Sequence, residues 1–194
     1  MIIRKHKCIF IHVEKTGGTS IECTLDPNLM NESATPKANA TAQFEDKHWT
    51  ALEYLQKHPK LYKEYFTFAF VRNPWDRLVS RYEWQILIGN PYLIKLDFKE
   101  YIKSSRFKGL KFSLVDMICN HKNEILVDFV GRFETLQKDF NIVCDKIGMK
   151  HTQLPYVNKI SSKHYTEYYD EETKQIVAEK FAKDIEYFGY EFVN

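Results

Sequence analysis

The sequence predicts an α/β fold, a central parallel sheet flanked by helices in three layers, and three observations carry that reading. Residues 7–13 and 67–71 are short apolar runs rich in strand formers, as expected for strands covered on both faces. Each is followed by a turn and then by a segment of helical character. Alternation of strand and helix along one chain implies right-handed crossovers and parallel strand neighbours.

The elements follow in order. Residues 7–13 form the first strand, and GGTSIECTL opens a short helix on glycine. From Asp26 to Lys47 the chain is polar, with Pro27, Pro36 and several Asn and Thr in no period, and reads as loop. Residues 47–57 space Trp49, Leu52 and Leu55 as a short helix ending before Pro59. TFAFV is the second strand, and it ends at Arg72. Asn73 then caps a helix with Pro74 at its first position, where Trp75, Leu78, Val79, Tyr82 and Ile86 recur at helical spacing. Residues 89–125 are mixed in pattern, with helical candidates around 98–102 and 114–119. LVDFVGRF at 126–133 reads as a third strand, and 134–147 as a helix stopped by Gly148. Val177, Phe181, Ile185 and Phe188 mark one amphipathic helix from Glu171, closed by Gly189.

Composition bounds the function. A chain of 194 residues with 44% hydrophobic and 15% aromatic residues is expected to fold as one domain over 1–194. Lys plus Arg number 28 against 26 acidic residues, so the net charge of +2 gives no case for nucleic acid, and any basic site must be local. Cys8, Cys23, Cys119 and Cys144 are widely spaced with no CxxC or Cys/His cluster, which speaks against zinc and against a disulfide scaffold. The apolar run before Glu14 is too short for a signal core or a spanning helix. A cytoplasmic chain with reduced thiols and no transmembrane segment is expected; the oligomeric state cannot be read.

Two turns carry the chemistry. In HVEKTGGTS the glycines free the backbone to turn its N–H groups on an anion at the start of the next helix. Lys15 adds a full positive charge, and Thr16, Thr19 and Ser20 add hydroxyls. The result is P-loop-like, but the lysine precedes the glycines, unlike the GxxxxGK[ST] pattern of ATPases and GTPases. In VRNPWDRLVS, Arg72 ends the second strand and Ser80 follows eight residues later on the helix, leaning back toward its N-terminus. Two anion sites suit a nucleotide with phosphate at both ends.

IFIHVEKTGGTSIE together with FAFVRNPWDRLVSRYEW resembles the two cofactor motifs of the sulfotransferases, of the carbohydrate type that includes heparan sulfate 2-O-sulfotransferase and the chondroitin and dermatan enzymes. The likeness continues through VGRFETLQKDF, LPYVNKISSKHY and DIEYFGYEF. It implies transfer of a sulfuryl group from 3′-phosphoadenosine-5′-phosphosulfate (PAPS), leaving 3′-phosphoadenosine-5′-phosphate (PAP), to a hydroxyl or amine. Lys15, Thr16, Gly17, Gly18, Thr19 and Ser20 would hold the 5′-phosphosulfate, and Arg72 and Ser80 the 3′-phosphate. The later basic segment maps onto Lys159, Ser162, Lys163 and Tyr165 as a closing loop.

Sulfuryl transfer asks for positioning, charge stabilisation and a base, with no metal in the scheme. Lys15 can donate to the bridging oxygen as charge builds on the leaving phosphate. His48, 24 residues before Arg72, is the favoured base, with His12 and Glu14 as alternatives; Glu14 stands where proline often precedes the lysine in this family. The acceptor is expected to be a carbohydrate, a glycolipid head group or another small hydroxyl-bearing molecule, met by loops in 26–60 and 89–125. Two other readings stay open: a P-loop-type kinase, weakened by the lysine's position, and a non-catalytic nucleotide-binding member.

Overall fold

The computed structural model describes residues 1–27, 48–110, 113–155 and 163–193. The chain divides into two compact units, Met1–Val71 with Leu114–Val157, and Arg72–Ser113 with Asn158–Asn194.

The first unit is built on a four-stranded sheet, β1 (Ile2–Ile3), β2 (Cys8–Ile11), β3 (Phe66–Val71) and β4 (Phe129–Arg132), in that order across the sheet. β2 and β3 run parallel with Ile9 opposite Thr67, and β3 and β4 run parallel with Ala69 opposite Val130. Alternate residues face opposite sides. Cys8, Phe10, Phe68 and Phe70 form one core with Ile21 and Leu25 of α1 (Gly18–Leu25) and with Phe140, Val143 and Cys144 from the helix that follows β4. Ile9, Ile11, Ala69 and Val71, on the other side, are buried as well, which is why these runs show no alternation in the sequence. Burial pushes the Cys8 thiol up to about 12, so it stays protonated at neutral pH.

Two short helices lead into β3, α2 (Ala51–Lys57) and α3 (Pro59–Glu64). Thr50 and Glu53 close a reciprocal capping box at the start of α2.

One correction concerns the sheet, which is mostly parallel rather than wholly so. β1 pairs antiparallel with β2, Ile2 opposite Ile9. The Met1 ammonium donates to the Phe10 carbonyl at 2.6 Å, and Lys7 makes the reversal with φ of 47°. A two-residue strand carries too little pattern to be legible beforehand.

The second unit is helical and aromatic. Its first and longest helix, α4 (Pro74–Leu87), is capped by Asn73, whose side chain accepts from the Trp75 N–H at 3.1 Å. α5 (Phe98–Lys103) and α6 (Ser105–Lys108) follow. After α7 (Leu114–Ile118) and α8 (Leu136–Ile147) of the first unit, the second resumes with α9 (Glu171–Lys180) and α10 (Ala182–Phe188). A single helix was expected across 171–188. The chain breaks it at Phe181, whose ring is buried and lies 6.3 Å from the ring of Phe107. Trp75, Phe98, Tyr101 and Phe107 share this core, and Tyr169 donates to the Trp75 carbonyl at 2.9 Å.

Candidate functional site

In the first unit, β2 delivers the chain into a turn that opens directly onto α1. Lys15 has φ of 65° and Gly17 has φ of 83°, both left-handed, and Gly17 is the residue before the helix. A lysine in that region is a local strain held by its surroundings. Thr16 between them is fully buried and donates its hydroxyl to the Val13 carbonyl at 2.9 Å. Its side chain therefore braces the turn, leaving the backbone N–H as its means of meeting an anion. Ser20 is buried and its carbonyl accepts from the Thr24 hydroxyl, whereas Thr19 is half-buried.

Gly18 is required by contact. A Cβ there would lie 2.5 Å from Nε2 of His12. The His12 ring is buried and its Nδ1 lies 2.5 Å from Oε1 of Glu22, a buried carboxylate one turn into α1. A carboxylate can only accept, so Nδ1 carries the hydrogen. His48 is exposed, and its ring meets that of His12 edge-on with centroids 5.4 Å apart. Two of the three candidate bases are thus neighbours, one buried and held, the other exposed. Glu14 is half-buried in the turn.

Glu22 escaped the sequence reading. The available signal was a carboxylate between Ile21 and Cys23 in a short helix that carries no other charge.

In the second unit, Arg72 follows β3 directly and is gripped by Asp76. Nε donates to Oδ2 at 2.7 Å and Nη2 to Oδ1 at 2.8 Å, a two-pronged pair in which the arginine is 12% exposed. Asp76 and Ser80 are four residues apart on α4 and share a face. Arg72, Asp76 and Ser80 therefore form a row, with Ser80 half-buried. The Tyr169 hydroxyl is held well above its ordinary value, first by burial and then by the charge of Asp76.

Of the closing-loop residues, Lys159 and Ser162 lie outside the described residues. Lys163 is exposed. The Tyr165 hydroxyl donates to the Val193 carbonyl at 3.0 Å and accepts from the Val193 N–H at 2.9 Å, so it anchors the C-terminal segment. Among the described residues, no group of three or more His, Cys, Asp or Glu is placed to hold a metal ion, and no helix is long and apolar enough to cross a membrane.

The first unit thus offers a backbone turn that opens on a helix, and the second a half-buried arginine held by Asp76. An uncharacterized protein of Archaeoglobus fulgidus is 33% identical over 108 residues, covering 55% of this chain and 87% of that protein. No solved structure matches. The model of the sulfotransferase family matches residues 1–191, taking in both turns and the C-terminal helices, and the chain belongs to that family of sulfuryl-transferring enzymes.

Proposed function

We propose that this protein transfers a sulfuryl group from PAPS to a hydroxyl or amine of a carbohydrate or glycoconjugate, a glycolipid head group being one form. The observation that carries this reading is the turn at 14–18. A lysine and a glycine in left-handed conformations hand the chain straight into a helix N-terminus, the local form of a P-loop-like anion cradle. Lys15, Thr16, Gly17, Gly18, Thr19 and Ser20 take the 5′-phosphosulfate in this scheme, and Arg72 and Ser80 take the 3′-phosphate. Lys159, Ser162, Lys163 and Tyr165 belong to the covering segment.

The donor, when bound, supplies the activated sulfuryl group. The acceptor oxygen or nitrogen forms its bond to sulfur while the bond from sulfur to the 5′-phosphate oxygen breaks, and PAP leaves. Lys15 donates to that oxygen as its charge grows, where a fixed donor counts most. His48 takes the acceptor proton. The exposure of His48 beside a buried His12 supports His48 as the base, because an acceptor entering from solvent meets the exposed imidazole first.

The test is thermal unfolding with PAP, with ATP and magnesium, and with adenosine 5′-phosphate, on the natural chain and on Arg72→Ala. A ligand that binds only the folded state raises the midpoint by mass action. Stabilisation by PAP alone, lost in Arg72→Ala, is expected. A response confined to ATP with magnesium would turn the reading to a kinase, and none at all would overturn the nucleotide donor.

A further inference from the structure

The buried pair of His12 and Glu22 has no role in the scheme above. Among the described residues the His12 ring meets Phe10 of its own strand, stacked at 5.7 Å between centroids, Glu22 at Nδ1, Gly18 against the opposite edge, and His48 edge-on at 5.4 Å. The ring thus touches both the first residue of the helix that opens the anion turn and the proposed base. Burying a carboxylate beside an imidazole is costly unless the two stay bonded, so such a pair holds its geometry tightly. Phe10 and Glu22 leave the ring little freedom to turn, and a shift of the ring moves whatever rests on it.

We infer that Glu22 and His12 form a positioning pair that holds the anion turn and the His48 ring in one fixed relation. Its catalytic meaning rests on the sulfuryl-transfer reading, while the coupling it describes does not. Glu22 fixes His12 in the form with hydrogen on Nδ1, and the far edge of the ring sets how closely Gly18 and His48 approach. Neither residue touches the reacting atoms. A merely structural pair would affect stability alone; a positioning pair also moves the titration of His48 and the affinity of the turn for its anion.

The experiment uses the full chain. PAP affinity is measured by calorimetry, and the His48 ring is titrated by NMR, with its resonance identified by its loss in His48→Ala. Glu22→Ala should weaken PAP binding about tenfold, the scale on which loss of an outer-shell partner lowers the affinity of the groups it orients. It should also move the His48 midpoint by about half a pH unit or more as the neighbouring ring relaxes. Glu22→Gln keeps an acceptor for Nδ1–H and should move both by less. His12→Asn keeps a donor for Glu22 but removes the ring edge, so His48 should move while Glu22 stays bonded.

An unchanged His48 midpoint in folded Glu22→Ala and His12→Asn would overturn the inference. If Glu22→Ala does not fold, His12→Asn and Glu22→Gln decide by the same criterion. If the natural chain binds no PAP, the donor reading falls, and the His48 titration alone judges the pair.

Discussion

In the proposed scheme the two units handle a negative charge in different ways. In the first, the anion turn is made of backbone: left-handed Lys15 and Gly17, a helix beginning at Gly18, and a buried histidine pressed against that glycine. In the second, the basic group is a side chain, Arg72, aimed by the carboxylate of Asp76. A backbone cradle tolerates no added atoms and depends on what packs behind it. A side-chain site can be deleted with little harm to the fold, so binding and stability separate there.

The largest expected effect comes from Gly18→Ala. Its Cβ would fall 2.5 Å from a ring that Glu22 clamps, an overpacking expected to cost about 2–3 kcal/mol in urea unfolding. A fully stable Gly18→Ala variant would break the claim that the first site is built by contact.

Arg72→Ala should act on binding instead. Losing one charged partner of a phosphate costs about 1.5–3 kcal/mol of PAP affinity, read by calorimetry. The unfolding free energy should change by less than about 1 kcal/mol, since the pair with Asp76 is partly open to water. Equal losses in affinity and stability would erase the distinction between the units.

Gly148 sharpens the comparison from the other side. It has φ of 66° at the end of α8 with no described residue within 4 Å of its missing Cβ, so Gly148→Ala tests backbone conformation. About 1 kcal/mol of destabilisation is expected in thermal or urea unfolding, below the contact-driven cost at Gly18.

The smallest effect lies at the exposed cap of α9 in the second unit. The Thr173 hydroxyl and N–H, then Lys99, hold the Asp170 carboxyl below its ordinary value of 3.8. A lowered folded value means the cap stabilises above 3.8 and fades as pH falls through the lowered value. Unfolding curves of the natural chain and Asp170→Ala should therefore differ at neutral pH and converge in acid. A difference that persists unchanged in acid would show that the cap's charge is not its source.

Legibility followed locality. The helix from Pro74 declares itself through Asn73, a proline at the right place and five apolar residues in period, and it forms as read. Gly148 stops α8 where its position implied. β1 is two residues long and exists only because β2 lies beside it. The break at Phe181, where the backbone leaves helical values at φ −108° and ψ 23°, interrupts an unbroken amphipathic pattern. At the site, Lys15 and the two glycines were visible as a turn. Asp76 stood four residues after Arg72 in plain view, yet that it grips the arginine with both oxygens is a fact of rotamers.

The sequence by itself determined where the chain turns, which runs form the parallel strands, and which family's motifs the chain carries. Those properties are carried by neighbours along the chain: glycine's freedom, proline's fixed φ, apolar spacing and motif order. Tertiary structure alone decided that His12 is clamped by Glu22, that Gly18 must lack a side chain because that ring fills its place, and that His48 rests against it. These depend on three segments meeting at one point, and contact across such separations leaves no period in the sequence.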